Sequence, residues 1–290
     1  MSGVARRIAV TGARGRLGSA IVAALSEDPA ISVRSWSRPD YDLDDPDSAR
    51  RSAERDRPDL VIHCAAWTDV DGCARDPALA LRRNATSVGV LAHAAVAAGS
   101  RLLVVSTNEV FDGERTDRRG YREDDPAGPR NAYGASKLAG EQAAQAAFDG
   151  ADGLWIVRTA WLYGPPGNDF PAKIVAAADR LPEGDALPVV ADEFGSPTYT
   201  TDVAAGCVAV IQGSAGGTFH VANIGAASRL EWAAEVLARV RPGRMVRPIS
   251  RREFSRASDP PPWGVLDSSR ARAVGAGMRD WREAVEASVR

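Results

Sequence analysis

The 290-residue chain is poor in cysteine, and its three cysteines, Cys64, Cys73 and Cys207, lie far apart without a C-x-x-C pair. An odd number at such spacings fits neither a disulfide framework nor a structural zinc site. A reducing compartment is the simplest interpretation. Because the first residues also lack the long apolar core of a secretion signal, we predict a cytoplasmic protein.

Long apolar runs and an excess of one charge are absent too. No stretch approaches the roughly 20 apolar residues of a membrane span, and 36 basic against 38 acidic side chains leave a net charge of −2. Such a balance gives no overall field that attracts polyanions. We therefore predict no membrane insertion and no nucleic acid as the main partner. With 44% hydrophobic residues, the composition also excludes intrinsic disorder.

Lysine is rare, because the chain has only two lysines, Lys137 and Lys173, and thirty-four arginines. Arginine is thus the default cation of this chain. A compact ammonium and a planar guanidinium are not interchangeable, so a position that keeps lysine is a candidate for a specific role.

The first half of the chain alternates short apolar runs with longer amphipathic segments, which is typical of βαβ units and a parallel sheet. Beyond Pro165, Pro166 and Gly167 this organisation changes. We predict an α/β fold, a Rossmann-type doubly wound parallel sheet with a smaller C-terminal substrate-binding lobe. The predicted strands are 8–11, 31–35, 60–64, 101–106 and 154–159, and the predicted helices are 17–26, 47–56, 77–98 and 132–147.

The predicted domains follow from the same pattern. Residues 1–160 form a dinucleotide-binding domain, and a segment at about 199–222 returns to it with one helix and one strand. The segments 161–198 and 223–290 form the substrate-binding lobe. A polar loop at 112–130 interrupts the first domain, and loops of this length are usually functional.

Three glycines at intervals of three, Gly12, Gly15 and Gly18, lie between the first strand and the first helix. Gly12 permits a tight turn, Gly15 lets the backbone approach a pyrophosphate, and Gly18 lets the helix pack closely on the sheet. The positive helix N-terminus favours an anion. A glycine-rich turn without a ligand is the alternative. We predict a dinucleotide-binding turn that includes Arg14, Arg16 and Leu17.

After the second strand, where an NAD-preferring site would place an acidic residue, the chain reads Ser35-Trp36-Ser37-Arg38. Ser37 and Arg38 suit a 2′-phosphate, which favours NADPH over NADH, although an exposed loop arginine without a ligand remains the alternative. The adenine contacts are assigned to Asp42 and Leu43, and the cap of the next helix to Asp44 or Asp45.

A phenol and an ammonium lie four residues apart in Tyr133-Gly-Ala-Ser-Lys137, on one face of a predicted helix. A free phenol, with a pKa of about 10, is a poor proton donor at neutral pH. A close ammonium would lower that pKa. Thr107 ends the fourth strand, where ligands of open α/β sheets bind, and its hydroxyl suits a substrate carbonyl oxygen. A surface contact between Tyr133 and Lys137, and a strand-end cap for Thr107, are the alternatives.

Six segments, in order over nearly the whole chain, resemble the dTDP-4-dehydrorhamnose reductase family of the extended short-chain dehydrogenase/reductases. They are 12–18 (GARGRLG), 61–71 (VIHCAAWTDVD), 106–113 (STNEVFDG), 133–141 (YGASKLAGE), 158–164 (RTAWLYG) and 192–202 (DEFGSPTYTTD). The first motifs indicate only the superfamily. The combination with the last two favours this reductase family.

The resemblance implies NADPH-dependent reduction of the C4 ketone of a nucleotide-activated 4-keto-6-deoxyhexose. The expected product is dTDP-L-rhamnose, formed from dTDP-4-dehydro-L-rhamnose, or a close stereochemical variant. It also implies a nucleotide-sugar substrate as the partner and allows a homodimer. The implied catalytic residues are Thr107, Tyr133 and Lys137; Ala65, Ala66 and Trp67 would line the cofactor, and Val70 and Trp161 would contact the sugar.

One segment departs from the family pattern. Where the family typically reads S-T-D-Y-V-F-D-G, this chain has Asn108 and Glu109 in the third and fourth positions. Asn108 keeps a hydrogen-bonding amide but loses a carboxylate, and Glu109 replaces a phenol expected beside the sugar. We predict that both contact the substrate and that hexose specificity is altered.

Three further features are ambiguous. The arginine-rich stretch 244–256 suits either a nucleotide diphosphate or a solvated surface. Asp192 and Glu193 make a weak case for a divalent ion, and we predict no metal. Asn84 is a candidate buried polar anchor near the site.

Two other functions remain open. One is an epimerase or dehydratase that holds NAD⁺ tightly and uses the same Tyr133 and Lys137. The other is a non-catalytic subunit that binds NADP or a sugar nucleotide and regulates a partner enzyme.

Overall fold

The computed structural model describes residues 6–289, and its core is a parallel sheet. The strands are β1 (Arg6–Thr11), β2 (Ile31–Trp36), β3 (Leu60–His63), β4 (Arg101–Thr107), β5 (Leu154–Thr159), β6 (Leu162–Tyr163), β7 (Ala186–Val190), β8 (Phe194–Gly195), β9 (Thr198–Tyr199), β10 (Gly217–His220), β11 (Ala227–Ser228), β12 (Met245–Ile249) and β13 (Trp263–Gly264). Six of them form the central sheet in the order β10-β5-β4-β3-β1-β2, and every pairing is parallel.

The α-helices pack against both faces of this sheet and around the C-terminal part of the chain. They are α1 (Arg16–Ser26), α2 (Pro46–Asp56), α3 (Val70–Arg75), α4 (Pro77–Leu81), α5 (Ser87–Ala97), α6 (Ala132–Phe148), α7 (Phe170–Asp179), α8 (Thr200–Gly213), α9 (Arg229–Val240), α10 (Ser269–Ala273) and α11 (Trp281–Ser288). Helices α1 and α8 bury their apolar residues against Ile8 and Val10, whereas α2, α5 and α6 pack on the other face against Ala9. Successive residues of β1 thus enter opposite cores, as a strand between two helical layers requires.

The strand order reverses at β1, because β2 lies on one side of it and β3 on the other. At such a switch point the loops after neighbouring strands diverge and leave a crevice at the carboxyl ends of the strands. The predicted Rossmann-type α/β fold is confirmed, and the sequence pattern located the crevice at the glycine turn.

One helix differs from its prediction. Residues 77–98 were expected to form a single α-helix, but a π-helical turn at Arg82–Thr86 separates α4 from α5. A π-helical turn holds one residue more than an α-helical turn. Here the wider turn lies against α6, where a side chain at Gly140 would clash with the carbonyl oxygen of Asn84. Such single-turn π segments occur often at functional sites, and this one carries Arg83 and Asn84.

The C-terminal part of the chain packs around its own aromatic core. Trp232 and Trp281, both fully buried, lie with Tyr163 in one apolar cluster. Short strand pairs surround this cluster: β12 with β7, β8 with β11 and β13, and β6 with β9. The division of the chain into two domains stays a prediction, although α8 and β10 pack within the central sheet layers.

A buried ion pair joins the sheet to α6. The Arg158 guanidinium on β5 donates from Nε to Oε1 of Glu141 at 3.0 Å and from Nη2 to Oε2 at 2.7 Å. The Glu141 side chain is 2% exposed and that of Arg158 is 9% exposed. Two parallel hydrogen bonds between planar groups fix both partners in one geometry.

The side chain of Asp45 accepts a hydrogen bond from the backbone N–H of Asp47 and caps α2, as one of the two alternatives predicted. None of the helices within residues 6–289 is both long and apolar enough to cross a membrane.

Candidate active site

A cavity of about 790 Å³ opens at the carboxyl ends of β1, β3 and β4. Every residue predicted from the sequence to bind a cofactor or substrate, or to act in catalysis, lines it. The glycine turn, the loop after β2 and the three residues Thr107, Tyr133 and Lys137 all contribute to its wall. The fold therefore brings together segments that are more than a hundred residues apart in the sequence.

The glycine turn is closely packed. Gly12 has a φ of 63°, and a Cβ on it would lie 2.9 Å from the backbone nitrogen of Ala65. A Cβ on Gly18 would meet the backbone of Gly12, so α1 can approach the turn only with glycine there. Thr11 fixes the same region, because its hydroxyl accepts hydrogen bonds from the backbone N–H groups of Cys64 and Ala65 at 3.1 Å.

Arg16 links the glycine turn to the C-terminal part of the chain. Its Nε donates a hydrogen bond of 2.8 Å to the carbonyl oxygen of Gly164. The arginine thus connects the start of α1 to the residue that follows β6. Its predicted contact with a cofactor stays a prediction.

The loop after β2 offers an unused polar group. The Ser37 hydroxyl is buried and has no hydrogen-bond partner among the described residues, while the neighbouring Arg38 is exposed on the cavity rim. A buried hydroxyl normally finds a partner. A hydroxyl beside an exposed guanidinium fits a ribose 2′-phosphate, which offers acceptor oxygens and negative charge.

Asn84 confirms its predicted place as a buried anchor. Its Oδ1 accepts from the Trp67 backbone N–H at 2.8 Å, and its Nδ2 donates to the Trp67 carbonyl and to the Ser136 hydroxyl, both at 3.0 Å. One amide thereby holds the loop 65–67 against α6. The Arg83 guanidinium covers the Trp67 ring at 5.6 Å from its centroid.

Helix α6 presents Tyr133 and Lys137 to the cavity. The helix begins after Asn131, whose side chain accepts from the backbone N–H of Gly134 at 2.8 Å. Tyr133, two residues after this cap, is buried in the first turn of the helix. Lys137 Nζ donates to the carbonyl oxygen of Val105 at 2.8 Å, which fixes the ammonium beside β4.

The expected effect of Lys137 on the Tyr133 phenol is wrong for this structure. Burial raises the pKa of Tyr133, the Glu109 carboxylate raises it further, and a hydrogen bond with Thr107 acts in the opposite direction. The same burial lowers the pKa of Lys137 to about 8. The reason is that desolvation disfavours both charged forms. Tyr133 therefore keeps its proton at neutral pH, as a proton donor must.

Asn108 and Glu109 have different surroundings. Asn108 is buried, and its Nδ2 donates to the carbonyl oxygen of Gly264 at 2.9 Å, so it anchors the end of β4 to β13. Glu109 faces the cavity and accepts a hydrogen bond of 2.6 Å from Asn131. Burial raises the pKa of the Glu109 carboxyl, and the bond from Asn131 opposes that rise.

Trp161 lies in the cavity wall with much of its ring covered by protein. The Cζ atom of Arg229 lies 3.5 Å from the ring centroid, and Trp232 stacks on Trp161 with centroids 5.7 Å apart. Trp161 also has a φ of 44°, which bulky residues rarely adopt, so its surroundings hold it in place. Its predicted contact with a sugar stays a prediction.

Several lining residues were not predicted from the sequence. Arg83, Phe170, Arg229 and Trp232 reach the cavity from helices or turns that gave no motif. The only available signal was the aromatic and arginine content of these segments. Asp192 and Glu193, considered for a metal ion, instead accept hydrogen bonds from Ser250 and Arg229 respectively.

Comparison with known proteins agrees with this geometry. The model of the RmlD substrate binding domain family matches residues 6–290, and the chain is 39% identical to dTDP-4-dehydrorhamnose reductase of Mycolicibacterium smegmatis over 99% of its own length and 86% of the relative's. The chain belongs to the dTDP-4-dehydrorhamnose reductase family. The predicted oxidoreductase is thereby confirmed.

Two further members of this reductase family are informative. The crystal structure of the Bacillus anthracis dTDP-4-dehydrorhamnose reductase in complex with NADP superposes with a TM-score of 0.90, at 32% identity over 98% of each chain. The dTDP-4-keto-6-deoxy-D-glucose reductase of Streptomyces niveus is 37% identical over 95% of this chain and 94% of its own length. Family membership therefore covers the whole described structure, and relatives carry names that differ in the sugar.

Proposed function

We propose that the protein reduces the C4 ketone of a dTDP-activated 4-keto-6-deoxyhexose with NADPH, and that dTDP-4-dehydro-L-rhamnose or a close stereochemical variant is the substrate. One observation carries this proposal: a single cavity is lined by the glycine turn and Ser37 and also by Thr107, Tyr133 and Lys137. A reductase needs the cofactor-binding groups and the proton donor in one cleft, because the nicotinamide of the cofactor and the ketone of the substrate must both lie next to the proton donor.

The side chains divide the work. Tyr133, protonated at neutral pH, donates the proton to the developing alkoxide, and the Thr107 hydroxyl donates a hydrogen bond to the same oxygen. Lys137, held by Val105, lies four residues from Tyr133 on the same face of α6 and would hold the nicotinamide ribose of the cofactor. Asn84 keeps the loop 65–67 in place along the cofactor. NADPH, when bound, supplies the hydride.

The residues present fit the dinucleotide. Gly12 and Gly18 let the backbone of the turn pack directly on Ala65 and on α1, which a Cβ at either position would prevent, and the unpartnered Ser37 hydroxyl lies next to the exposed Arg38. Ser37 and Arg38 would hold the 2′-phosphate, Gly15 and the start of α1 the pyrophosphate, and Asp42 and Leu43 the adenine.

Replacing Arg38 with alanine is expected to weaken NADPH binding about 10- to 100-fold, because a charge-assisted hydrogen bond to the phosphate is lost. The affinity for NADH, which has no 2′-phosphate, should change less than twofold. Titration of both cofactors by fluorescence measures this, with Arg34→Ala on the exposed side of β2 as the matched control. Equal losses for both cofactors would remove Arg38 from the 2′-phosphate site.

Glu109 is proposed to select the hexose. It faces the cavity where relatives of the family place a tyrosine, and its carboxyl lies close enough to Tyr133 to raise the phenol's pKa. Substituting Glu109→Tyr should shift the ratio of kcat/KM between stereoisomeric dTDP-4-keto-6-deoxy sugars by about tenfold, since a hydrogen-bonding partner of a sugar hydroxyl is exchanged. Glu114→Gln, on the exposed loop, serves as the control. Unchanged ratios would exclude a role of Glu109 in specificity.

The test of the proposed function is NADPH consumption by the purified protein with dTDP-4-keto-6-deoxy sugars of both stereochemical series. Turnover is expected with at least one of them. Binding of NADPH without turnover on any sugar would favour the regulatory subunit, and NAD⁺ that copurifies with the protein would favour an epimerase or dehydratase.

A further inference from the structure

One guanidinium reaches the candidate active site from the start of α9 and has no part in the chemistry proposed above. Arg229 lines the same cavity as Tyr133 and Glu109. Its Nε donates a hydrogen bond of 3.0 Å to Oε1 of Glu193, a carboxylate that is 3% exposed. The backbone N–H of Arg229 also donates to the carbonyl oxygen of Glu193, at 3.2 Å. Glu193 therefore fixes both the start of the helix and the Nε side of the guanidinium.

The other side of this guanidinium has unused donors. Within residues 6–289, neither Nη group of Arg229 donates a hydrogen bond, so the N–H groups on both nitrogens remain. Burial lowers the pKa of Arg229, and the carboxylates of Glu193 and Glu109 oppose that change. A partly buried cation whose donors lack partners is unfavourable. The free donors therefore suit a ligand that brings acceptor oxygens into the cavity.

Arg229 also covers the residue that the sequence predicts to contact the sugar. Its Cζ lies 3.5 Å from the centroid of the Trp161 ring. The backbone of Gly195 packs on the same indole, since a Cβ on Gly195 would clash with the Cε2 and Cδ2 atoms of Trp161. A guanidinium and a glycine backbone thus leave little of the indole face for a hexose. The indole is placed to support the guanidinium, and the guanidinium is the group that a ligand meets.

The proposed substrate has few groups that could accept these hydrogen bonds. In a nucleotide-activated 4-keto-6-deoxyhexose, C4 is the reacting ketone, C5 carries the ring oxygen, C6 is a methyl carbon and C1 carries the nucleotide. The hydroxyls that remain on the ring are those of C2 and C3, which lie on neighbouring carbons. A planar guanidinium with two Nη groups matches two adjacent oxygens better than a single point charge does.

We propose that Arg229 determines hexose specificity by donating hydrogen bonds from its Nη groups to the C2 and C3 hydroxyls of the sugar. This inference rests on the proposed function, which supplies the 4-keto-6-deoxyhexose. Arg229 and Glu109 then recognise the sugar in complementary ways, because a guanidinium only donates and a carboxylate accepts. A sugar that lacks one of the two hydroxyls leaves a donor of Arg229 unpaired, and a site of this kind discriminates strongly against the deoxy analogue.

The probes are dTDP-L-rhamnose and its 2-deoxy and 3-deoxy counterparts, each titrated by calorimetry into the full-length protein with NADP⁺ present. The unchanged protein should bind dTDP-L-rhamnose about 10- to 100-fold more tightly than either counterpart, because a hydrogen bond from a charged donor is lost. Arg229→Met keeps an unbranched side chain over Trp161 but removes every donor. In this variant the ratios of the Kd values should fall to about threefold or less. General damage to the fold would weaken all three ligands alike and leave the ratios unchanged.

Arg256→Met is the matched control, because Arg256 is the second guanidinium on Glu193, at 3.3 Å, and lines a different cavity. It should leave the ratios unchanged. A further control is dTDP alone, whose Kd should change less than about twofold in Arg229→Met. If the unchanged protein binds the deoxy counterparts as tightly as dTDP-L-rhamnose, or if Arg229→Met weakens dTDP as much as dTDP-L-rhamnose, the contact with the sugar hydroxyls is excluded.

Turnover distinguishes this inference from the proposed function. A protein that oxidises NADPH with a keto sugar, but whose Kd ratios are the same with and without Arg229, retains the reductase and loses the proposed role of Arg229. A protein whose ratios fall in Arg229→Met, but which reduces no keto sugar, retains the hexose contact and overturns the reductase.

Discussion

Replacing Tyr133 with phenylalanine should lower kcat with the keto sugar about 10²- to 10⁴-fold, which is the usual contribution of a positioned general acid. The substitution removes one hydroxyl from a buried ring and leaves its packing beside Cys73 and Ala80 in place. NADPH should therefore bind the variant with a Kd within a few-fold of the original. Stopped-flow measurement of NADPH oxidation, with cofactor titration in parallel, separates the two quantities.

Tyr199→Phe provides the matched control, since Tyr199 is a partly buried phenol that does not line the cavity. It should keep nearly full activity. Turnover by Tyr133→Phe that stays within tenfold of the original would show that another group supplies the proton, and Glu109, which faces the same cavity, would be the first to examine.

The second large effect concerns stability. Glu141→Ala should lower the free energy of unfolding by about 3–5 kcal/mol, because it leaves the Arg158 guanidinium buried without its carboxylate. Against a total of about 5–15 kcal/mol for a typical domain, this is a large fraction. Urea denaturation followed by circular dichroism measures the change.

Glu235→Ala removes a partly exposed carboxylate, 24% accessible, that pairs with Arg239 four residues along α9. It should cost only about 0.3–0.5 kcal/mol, because exposed helix pairs are solvated in both states. Similar losses in both variants would mean that burial does not decide the strength of the Glu141–Arg158 pair.

Local patterns in the sequence were sufficient for the sheet and for placing the candidate catalytic side chains Tyr133 and Lys137 together. The five predicted strands of the first half are present because their apolar residues alternate with helical segments at the βαβ spacing. Tyr133 and Lys137 share a helix face, so four residues of separation were enough to place them together. Gly12 and Gly18 were recognisable for the same reason, since both belong to one turn.

Long-range contacts were not predictable in this way. Arg229 and Arg256 donate hydrogen bonds to Glu193, although they lie 36 and 63 residues from it in the sequence. No local sequence pattern predicts a contact over such a separation. The pKa of Tyr133 was misjudged because it depends on how deeply α6 is buried and on where Glu109 points, both of which are tertiary facts. The positive φ of Trp161 likewise follows from its neighbours and not from its own preference.

The π-helical turn at Arg82–Thr86 sets the rotational phase between two helices. An α-helix rotates by about 100° for every residue, so if all of these residues ran as an uninterrupted α-helix, α4 would be turned by about that angle relative to α5, and the π turn absorbs the extra residue instead. Arg83 and Asn84 would then leave Trp67, and the loop beside the glycine turn would lose its anchor. The π turn thus determines where Arg83 and Asn84 lie, and through them the position of the loop that lines the cleft. We therefore expect an insertion or deletion at this point to disturb the cleft more than the stability of the helix.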